Sequence, residues 1–351
     1  MELEERQKKI LKHLNRLLIK TENIQNSLNS NKITIESKME KRNVERKTFL
    51  SEYLVSSIRK VKLHPKYKSV LYAISGSILY IYQIRFENET HQLIEEIQIN
   101  KNGENLHGIE FTFDEKNDIT RVLLYGKKNV YIREQKILLN QQISIVQVSE
   151  RDLDLSFDDW IFAASLIPFK SLKIRGYEEE EEDDLLAVGY CHNFIEIWEL
   201  KQKKRIFKTY CPTRCIVYTM NFHFDLKINQ SKHPFVVASG TVFNNTILWN
   251  PFSTTEEEST IATLVGHKGV LFSISFSKDG SLLSSTSDDR SINLYQLKNV
   301  SQSKILNPSV VLFHHTARVW SSSFTDDSNH LLSCSEDSSC NKKKNFKIII
   351  C

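Results

Sequence analysis

From residue 69 onward the chain alternates short apolar runs with turn residues. Ser69 to Ile84 reads SVLYAISGSILYIYQI, two runs rich in β-branched and aromatic residues around Gly76. Runs of this kind, bounded by Gly, Asn, Asp or Ser, predict strands joined by tight turns. TRVLLYGKKNVYIRE (Thr120 to Glu134) repeats the plan with Gly126 at the turn. DLLAVGYCHNFIEIWEL (Asp184 to Leu200) and PFVVASGTVFNNTILWN (Pro234 to Asn250) are further copies. The next, Gly266 to Leu297, reads GHKGVLFSISFSKDGSLLSSTSDDRSINLYQL, three strands separated by KDG and DDRS turns. Another copy follows at an offset of 48 residues, which sets Phe324 against Phe276 and Asp337 against Asp289 without a gap. Closing aromatics at Tyr82, Tyr131, Trp198, Trp249 and Tyr295 give a repeat of 46 to 67 residues. Repetition at such a period predicts an array of small sheets, each burying its faces against the next.

Polar residues recur in the last two copies as well. His267, Ser285, Asp289 and Tyr295 in one correspond to His315, Ser333 and Asp337 in the other. A loop His, a strand Ser, a turn Asp and a closing aromatic donor can hydrogen-bond in series. Such a network rigidifies a sheet when every member is satisfied. The unit resembles one blade of a WD-repeat β-propeller. The resemblance implies an all-β fold over residues 61–340, with about five full blades, a truncated sixth and an incomplete ring. Two departures stand out. Tyr295 offers a hydroxyl where a Trp would offer an indole N–H. In the sixth unit the aromatic position holds Lys343, so that blade is expected to stop early. Residues 341–351, NKKKNFKIIIC, are then a tail outside the blades, and the chain is expected to be an N-terminal fragment of a longer protein.

Residues 1–60 follow a different rule. Leu3, Gln7, Ile10, Leu14, Leu17, Thr21, Ile24 and Leu28 recur at alternating four- and three-residue steps. That spacing predicts a helical seam, either a coiled-coil contact or an amphipathic helix packed on the blades. An appended segment from an imperfect gene boundary is the third reading. Glu178 to Asp184 is an unbroken acidic run. It reads as a solvated loop, with an electrostatic contact for a basic partner as the alternative.

Composition narrows the class. The 351 residues are 40% hydrophobic and 26% charged, with a net charge of +4, which points to neither a nucleic-acid nor a membrane surface. Nineteen Phe and 12 Tyr against 10 Gly and 6 Pro suit strands. The six cysteines, Cys191, Cys211, Cys215, Cys334, Cys340 and Cys351, fit neither a zinc ribbon nor a redox Cys-x-x-Cys. Free thiols in a reducing, cytoplasmic setting are expected. Residues 1–20 are charged throughout, unlike a secretory leader. No run of 18 apolar residues exists, so no membrane partner is expected.

Catalytic signatures are missing from the sequence. It carries no phosphate-binding glycine loop, no nucleophile elbow and no pair of metal ligands at usable spacing. Asp288-Asp289 and Asp326-Asp327 look like paired carboxylates but fall in turns. The expectation is a non-enzymatic protein with no cofactor, no metal and no small-molecule substrate. Propellers engage partners through loops and the residues that open each inner strand. In the clearest repeats these are Val270, Phe272, Arg290, Arg318 and Trp320. Arg and Trp are common anchors because they join contact area to directed hydrogen bonds. Trp320 packed in the blade, and Arg318 simply solvated, are the competing readings.

GHKGVLFSISFSKDGSLLSSTSDDRSINLY followed by HHTARVWSSSFTDDSNHLLSCSEDSSC resembles the WD repeat protein 6 family. His-Thr-Ala-Arg-Val-Trp (His315 to Trp320) and the Ser335 to Cys340 run are similar to motifs of that family. NLHGIEF (Asn105 to Phe111) and DDWIFAAS (Asp158 to Ser165) look like its early blades. The resemblance implies a cytoplasmic, non-catalytic partner of an FtsJ-type tRNA 2′-O-ribose methyltransferase that acts on the anticodon wobble nucleotide. That enzyme would bind S-adenosylmethionine, and this chain would position tRNA on it through the complex. The N-terminal heptad segment is not expected from the family. A general WD adaptor, such as a substrate receptor of a ubiquitin ligase, is the alternative.

Overall fold

The computed structural model describes residues 58–85, 90–100, 102–139, 143–148, 153–167, 185–228, 231–300, 304–337 and 339–344. The helical seam expected over residues 1–60 and the acidic run Glu178 to Asp184 lie outside them, apart from residues 58–60, which are strand. The chain divides into two compact units. The first spans residues 1–127 and 131–154, the second 128–130 and 155–351.

The first unit holds two four-stranded antiparallel meanders. Blade 1 is β1 (Ile58–Leu63), β2 (Val70–Ser75), β3 (Ile78–Arg85) and β4 (Thr90–Gln98). Blade 2 is β5 (Gly108–Asp114), β6 (Ile119–Gly126), β7 (Asn129–Leu139) and β8 (Ile143–Gln147). Between them Val70, Tyr72, Ile74, Leu79, Ile81, Leu106, Ile109, Val122 and Leu124 form one buried cluster. Every residue of β2 is buried, because it is a middle strand covered on both faces. That is why VLYAIS reads as a continuous apolar run and not an alternating one. β9 (Leu153–Ser156) lies where the chain passes into the second unit.

The second unit repeats the plan. Blade 3 is β10 (Ile161–Leu166), β11 (Leu185–Tyr190), β12 (Phe194–Glu199) and β13 (Lys204–Tyr210). Blade 4 is β14 (Val217–Ile228), β15 (Ser231–Thr241), β16 (Thr246–Trp249) and β17 (Thr260–Leu264), with α1 (Glu256–Ser259) before its last strand. The Thr255 hydroxyl caps that single turn by accepting the Glu258 N–H. Blade 5 is β18 (Leu271–Phe276), β19 (Leu282–Ser287) and β20 (Ile292–Gln296). After it, β21 (Ile305–Leu306) adds in parallel to β17, and β22 (Val310–Leu312) completes the sheet beside β20. Blade 6 is β23 (Val319–Phe324), β24 (His330–Ser335) and β25 (Cys340–Lys344). Buried clusters seal the blade interfaces: Phe235 and Trp249 pack on Leu185 and Ile195, while Leu283 and Tyr295 pack on Val236 and Leu248. The described residues are thus all-β with almost no helix: five blades, of which blade 4 gains β21 and blade 2 gains β9 beside β7, and a three-stranded sixth.

One boundary differs from expectation. Residues 341–344, read as tail, belong to β25, which pairs with β24 from Cys334 opposite Cys340 to His330 opposite Lys344. Lys343 removes the closing aromatic, but ladder pairing needs only an extended backbone, so the third strand forms without it.

Two local features recur. In the turn between second and third strands a residue takes left-handed backbone: Gly76, Lys127, Asn193, Asn244 and Arg290, with φ from 47° to 69°. The second is a register shift in the first strand. It falls between Ile58 and Lys60, Ile161 and Ala163, Val217 and Thr219, Leu271 and Ser273, and Val319 and Ser321. Each shift leaves one residue outside the ladder, as a β-bulge does.

Candidate functional site

The polar residues of blade 5 meet. His267 has a side chain 1% exposed and places Nδ1 3.0 Å from Asp289 Oδ2 and Nε2 2.7 Å from Ser285 Oγ. A carboxylate can only accept, so Nδ1 carries the proton toward Asp289. Asp289 also accepts the Lys268 N–H at 2.8 Å and the Ser291 hydroxyl at 2.5 Å. Burial pushes its pKa up, but the hydrogen bonds from His267, Ser291 and Lys268 outweigh it and hold the carboxyl well below the usual range. Tyr295, buried beneath, donates its hydroxyl to the Val265 carbonyl at 3.0 Å and accepts from Asn293 Nδ2 at 3.3 Å. Blade 6 repeats the geometry: His315 lies 3.0 Å from Asp337 and 2.9 Å from Ser333. Blade 4 keeps one link, the Trp249 indole donating to Ser239 Oγ at 3.0 Å.

Blade 3 solves the same problem with a buried acid that the sequence reading passed over. Glu196 is 5% exposed and accepts from Tyr190 Oη at 2.9 Å, Trp198 Nε1 at 3.1 Å and Arg205 at 2.9 Å, with Lys208 Nζ at 3.2 Å. Burial raises its pKa, and the hydrogen bonds from Tyr190, Lys208 and Trp198 more than reverse that. The alternation FIEIW hides the partners, because Tyr190, Arg205 and Lys208 come from neighbouring strands.

Phe272, Arg318 and Trp320 come together. The Phe272 and Trp320 rings lie 4.6 Å apart, and the Arg318 guanidinium sits 5.6 Å above Trp320. Arg318 Nε pairs with Glu336 at 2.9 Å and Asp288 at 3.3 Å, so it is not simply solvated. Trp320 is 46% exposed, which leaves much of its indole outside the blade core. Arg290 is an exposed turn residue with φ 69°, and the contacts that join the other three do not include it. Val270 accepts the Asp288 N–H through its carbonyl at 2.9 Å.

Phe272 and Trp320 are both bulge residues, and the equivalent positions of blades 3 and 4 are Phe162 and Tyr218. Each follows a fully buried aliphatic: Ile161, Val217, Leu271 and Val319. The strands that carry them, β10, β14, β18 and β23, pack side by side. Four successive inner strands therefore present an aromatic at the one position freed from pairing. Phe162 and Tyr218 were legible as the aliphatic–aromatic pairs Ile161-Phe162 and Val217-Tyr218. Trp160, Ile216 and Phe243 are also exposed, at 52%, 50% and 62%. Backbone bonds link their segments: Cys191 N to Trp160 O, Val217 N to Cys191 O, and Val242 N to Ile216 O.

At that end of blade 3 the fold also gathers Asp159, Cys191 and His192, whose donor atoms lie within 4.8 Å of one another. Asp159 is 32 residues from Cys191, a separation that no ligand spacing would reveal. Burial, helped by Asp159, pushes the Cys191 thiol up to about 11.

Known proteins share the repeat. Residues 258–296 and 306–341 match the family model "WD domain, G-beta repeat". The chain is 24% identical over 278 residues to "tRNA (34-2'-O)-methyltransferase regulator WDR6" of Rattus norvegicus, covering 77% of this chain. The same protein of Mus musculus is 26% identical, and that of Homo sapiens 24%, over 160 residues. The chain spans 22% of the rat relative's length and 14% of the mouse and human ones. Among solved structures, "Chaetomium thermophilum Polycomb Repressive Complex 2 bound to GSK126" aligns at TM-score 0.47 and 14% identity, covering 65% of this chain and 48% of that one. With the meandering blades, the bulged inner strands and the His–Ser–Asp networks in place, residues 258–296 and 306–341 are the segments that carry WD repeats.

Proposed function

We propose that the chain is the part of a tRNA-methylation scaffold that docks a 2′-O-ribose methyltransferase of the FtsJ type. The WD-repeat blades serve as a non-catalytic scaffold, and the regulator proteins they resemble act on a methyltransferase rather than as one. The observation that carries the docking surface is the aromatic at the register shift of four successive inner strands, Phe162, Tyr218, Phe272 and Trp320. Large aromatics held at a fixed backbone position give contact area at low entropic cost, which suits an anchor. In this reading tRNA is met through the complex, in the cytoplasm, and the enzyme brings S-adenosylmethionine. The test is affinity purification of the tagged endogenous protein with mass spectrometry of its partners. It is paired with measurement of wobble 2′-O-methylation after gene deletion. Recovery of the methyltransferase with loss of the modification supports the reading. Recovery of ubiquitin-ligase subunits with intact methylation would replace it with a general adaptor.

A further inference from the structure

We propose that Asp159, Cys191 and His192 form a binding site for a zinc-class divalent cation at the loop end of blade 3. The inference does not rest on the scaffold reading. Cys191 Sγ lies 3.2 Å from Asp159 Oδ1 and 3.3 Å from His192 Nδ1, and His192 Nδ1 lies 2.8 Å from Asp159 Oδ2. Tetrahedral zinc, at bond lengths of about 2.0–2.3 Å, sets neighbouring donors about 3.3–3.6 Å apart. These four atoms, two of them the oxygens of one carboxylate, need to part by up to about half an ångström to admit the ion.

The donors are held before any ion arrives. Cys191 is pinned on both sides of its peptide, its N–H to the Trp160 carbonyl at 2.9 Å and its carbonyl to the Val217 N–H at 2.8 Å. The turn that carries Cys191 and His192 ends in Asn193, fully buried with φ 58°, whose Nδ2 donates to the Thr213 carbonyl at 2.8 Å. Asp159 is fixed by the Trp160 N–H at 2.7 Å. Preorganised ligands on rigid elements are what a metal site requires.

The donor set also selects the ion. A thiolate with an imidazole favours zinc and its softer neighbours over magnesium or calcium. Aspartate and thiolate together balance a divalent charge, with neutral His192 as third ligand. Binding breaks the S–H bond, and the proton leaves to solvent. Three protein ligands leave a fourth position, and the His192 side chain is 63% exposed, so that position opens to water.

The test is titration of the full chain with Co2+, followed by optical spectroscopy. One equivalent should produce a thiolate-to-cobalt charge-transfer band, and Zn2+ should displace it. Cys191→Ser should abolish the band, while Cys211→Ser and Cys215→Ser retain it. Asp159→Asn should weaken Co2+ binding by more than the roughly 10–100-fold that outer-shell partners cost. On the unsubstituted chain, Zn2+ should protect Cys191 from alkylation as mapped by peptide mass, whatever the folding of any variant. Absence of the band with no protection, or a band that survives Cys191→Ser, would overturn the site.

Discussion

His64 and His267 are both buried, yet their hydrogen bonds run in opposite senses. His64 Nδ1 accepts the N–H groups of Lys66 at 3.1 Å and Tyr67 at 2.9 Å, so its proton sits on Nε2, 2.7 Å from Thr120 Oγ1. A second proton would face two donors. Burial, with the charge of Lys68, lowers its pKa to about 4. The unfolded chain takes up that proton near pH 6.5. Stability from this group is therefore full above about pH 6.5 and lost as pH falls toward 4. Thermal melts across that window should show the loss, and His64→Gln should flatten the slope. The carboxyl of Asp289 acts only lower, below the ordinary carboxylate range near pH 4, so the two effects separate. Tyr295 makes a different point. Its hydroxyl donates to the Val265 carbonyl, whereas the Trp249 indole donates to a strand Ser, and Tyr295→Phe should cost about 1–2 kcal/mol in denaturant unfolding. An unchanged midpoint would mean that the hydroxyl adds nothing to the blade.

At the scale of elements, close packing decides which glycines tolerate a methyl group. A Cβ on Gly126 would meet the Asn105 carbonyl oxygen at 2.3 Å, a backbone atom that cannot swing away. One on Gly189 would meet Met220 Sδ at 2.2 Å and the Phe222 ring at 2.9 Å, both side-chain atoms, the first of them part of a flexible chain. Gly126→Ala should therefore destabilise by about 3 kcal/mol and Gly189→Ala by less than about 1.5 kcal/mol. Equal shifts in urea midpoint would show that Met220 cannot repack. The elements themselves were largely legible. Gly76, the KDG turn and the DDRS turn punctuate runs that the blades follow closely. What escaped the sequence was pairing between segments. The strand at Cys340–Lys344 carries no apolar run, yet it completes a ladder. Glu196 lies within the alternation FIEIW, and its cationic and hydroxyl partners, Tyr190, Arg205 and Lys208, are set by register, not by spacing.

For the molecule as a whole, the candidate surface was half legible. Phe272, Arg318 and Trp320 could be placed because the two clearest repeats align without a gap. Phe162 and Tyr218 sit in blades without the Gly-His signature, and their aliphatic–aromatic pairs become equivalent to the others through the shared register shift. Replacing Tyr218, Phe272 and Trp320 by Ala one at a time should weaken the captured partner by about tenfold or more each. The melting temperature should stay nearly unchanged, since these side chains are partly exposed. A variant that loses stability in step with binding would return the aromatic to the blade core.

The bulge has a wider consequence. A residue outside the ladder contributes no pairing to its sheet, so its identity is uncoupled from the folding of the blade that bears it. Such a position works like a socket: the frame stays the same whichever side chain is fitted. A row of sockets on adjacent strands allows the surface to be rewritten one residue at a time. Each exchange alters what the row can grip while the sheets beneath keep their register.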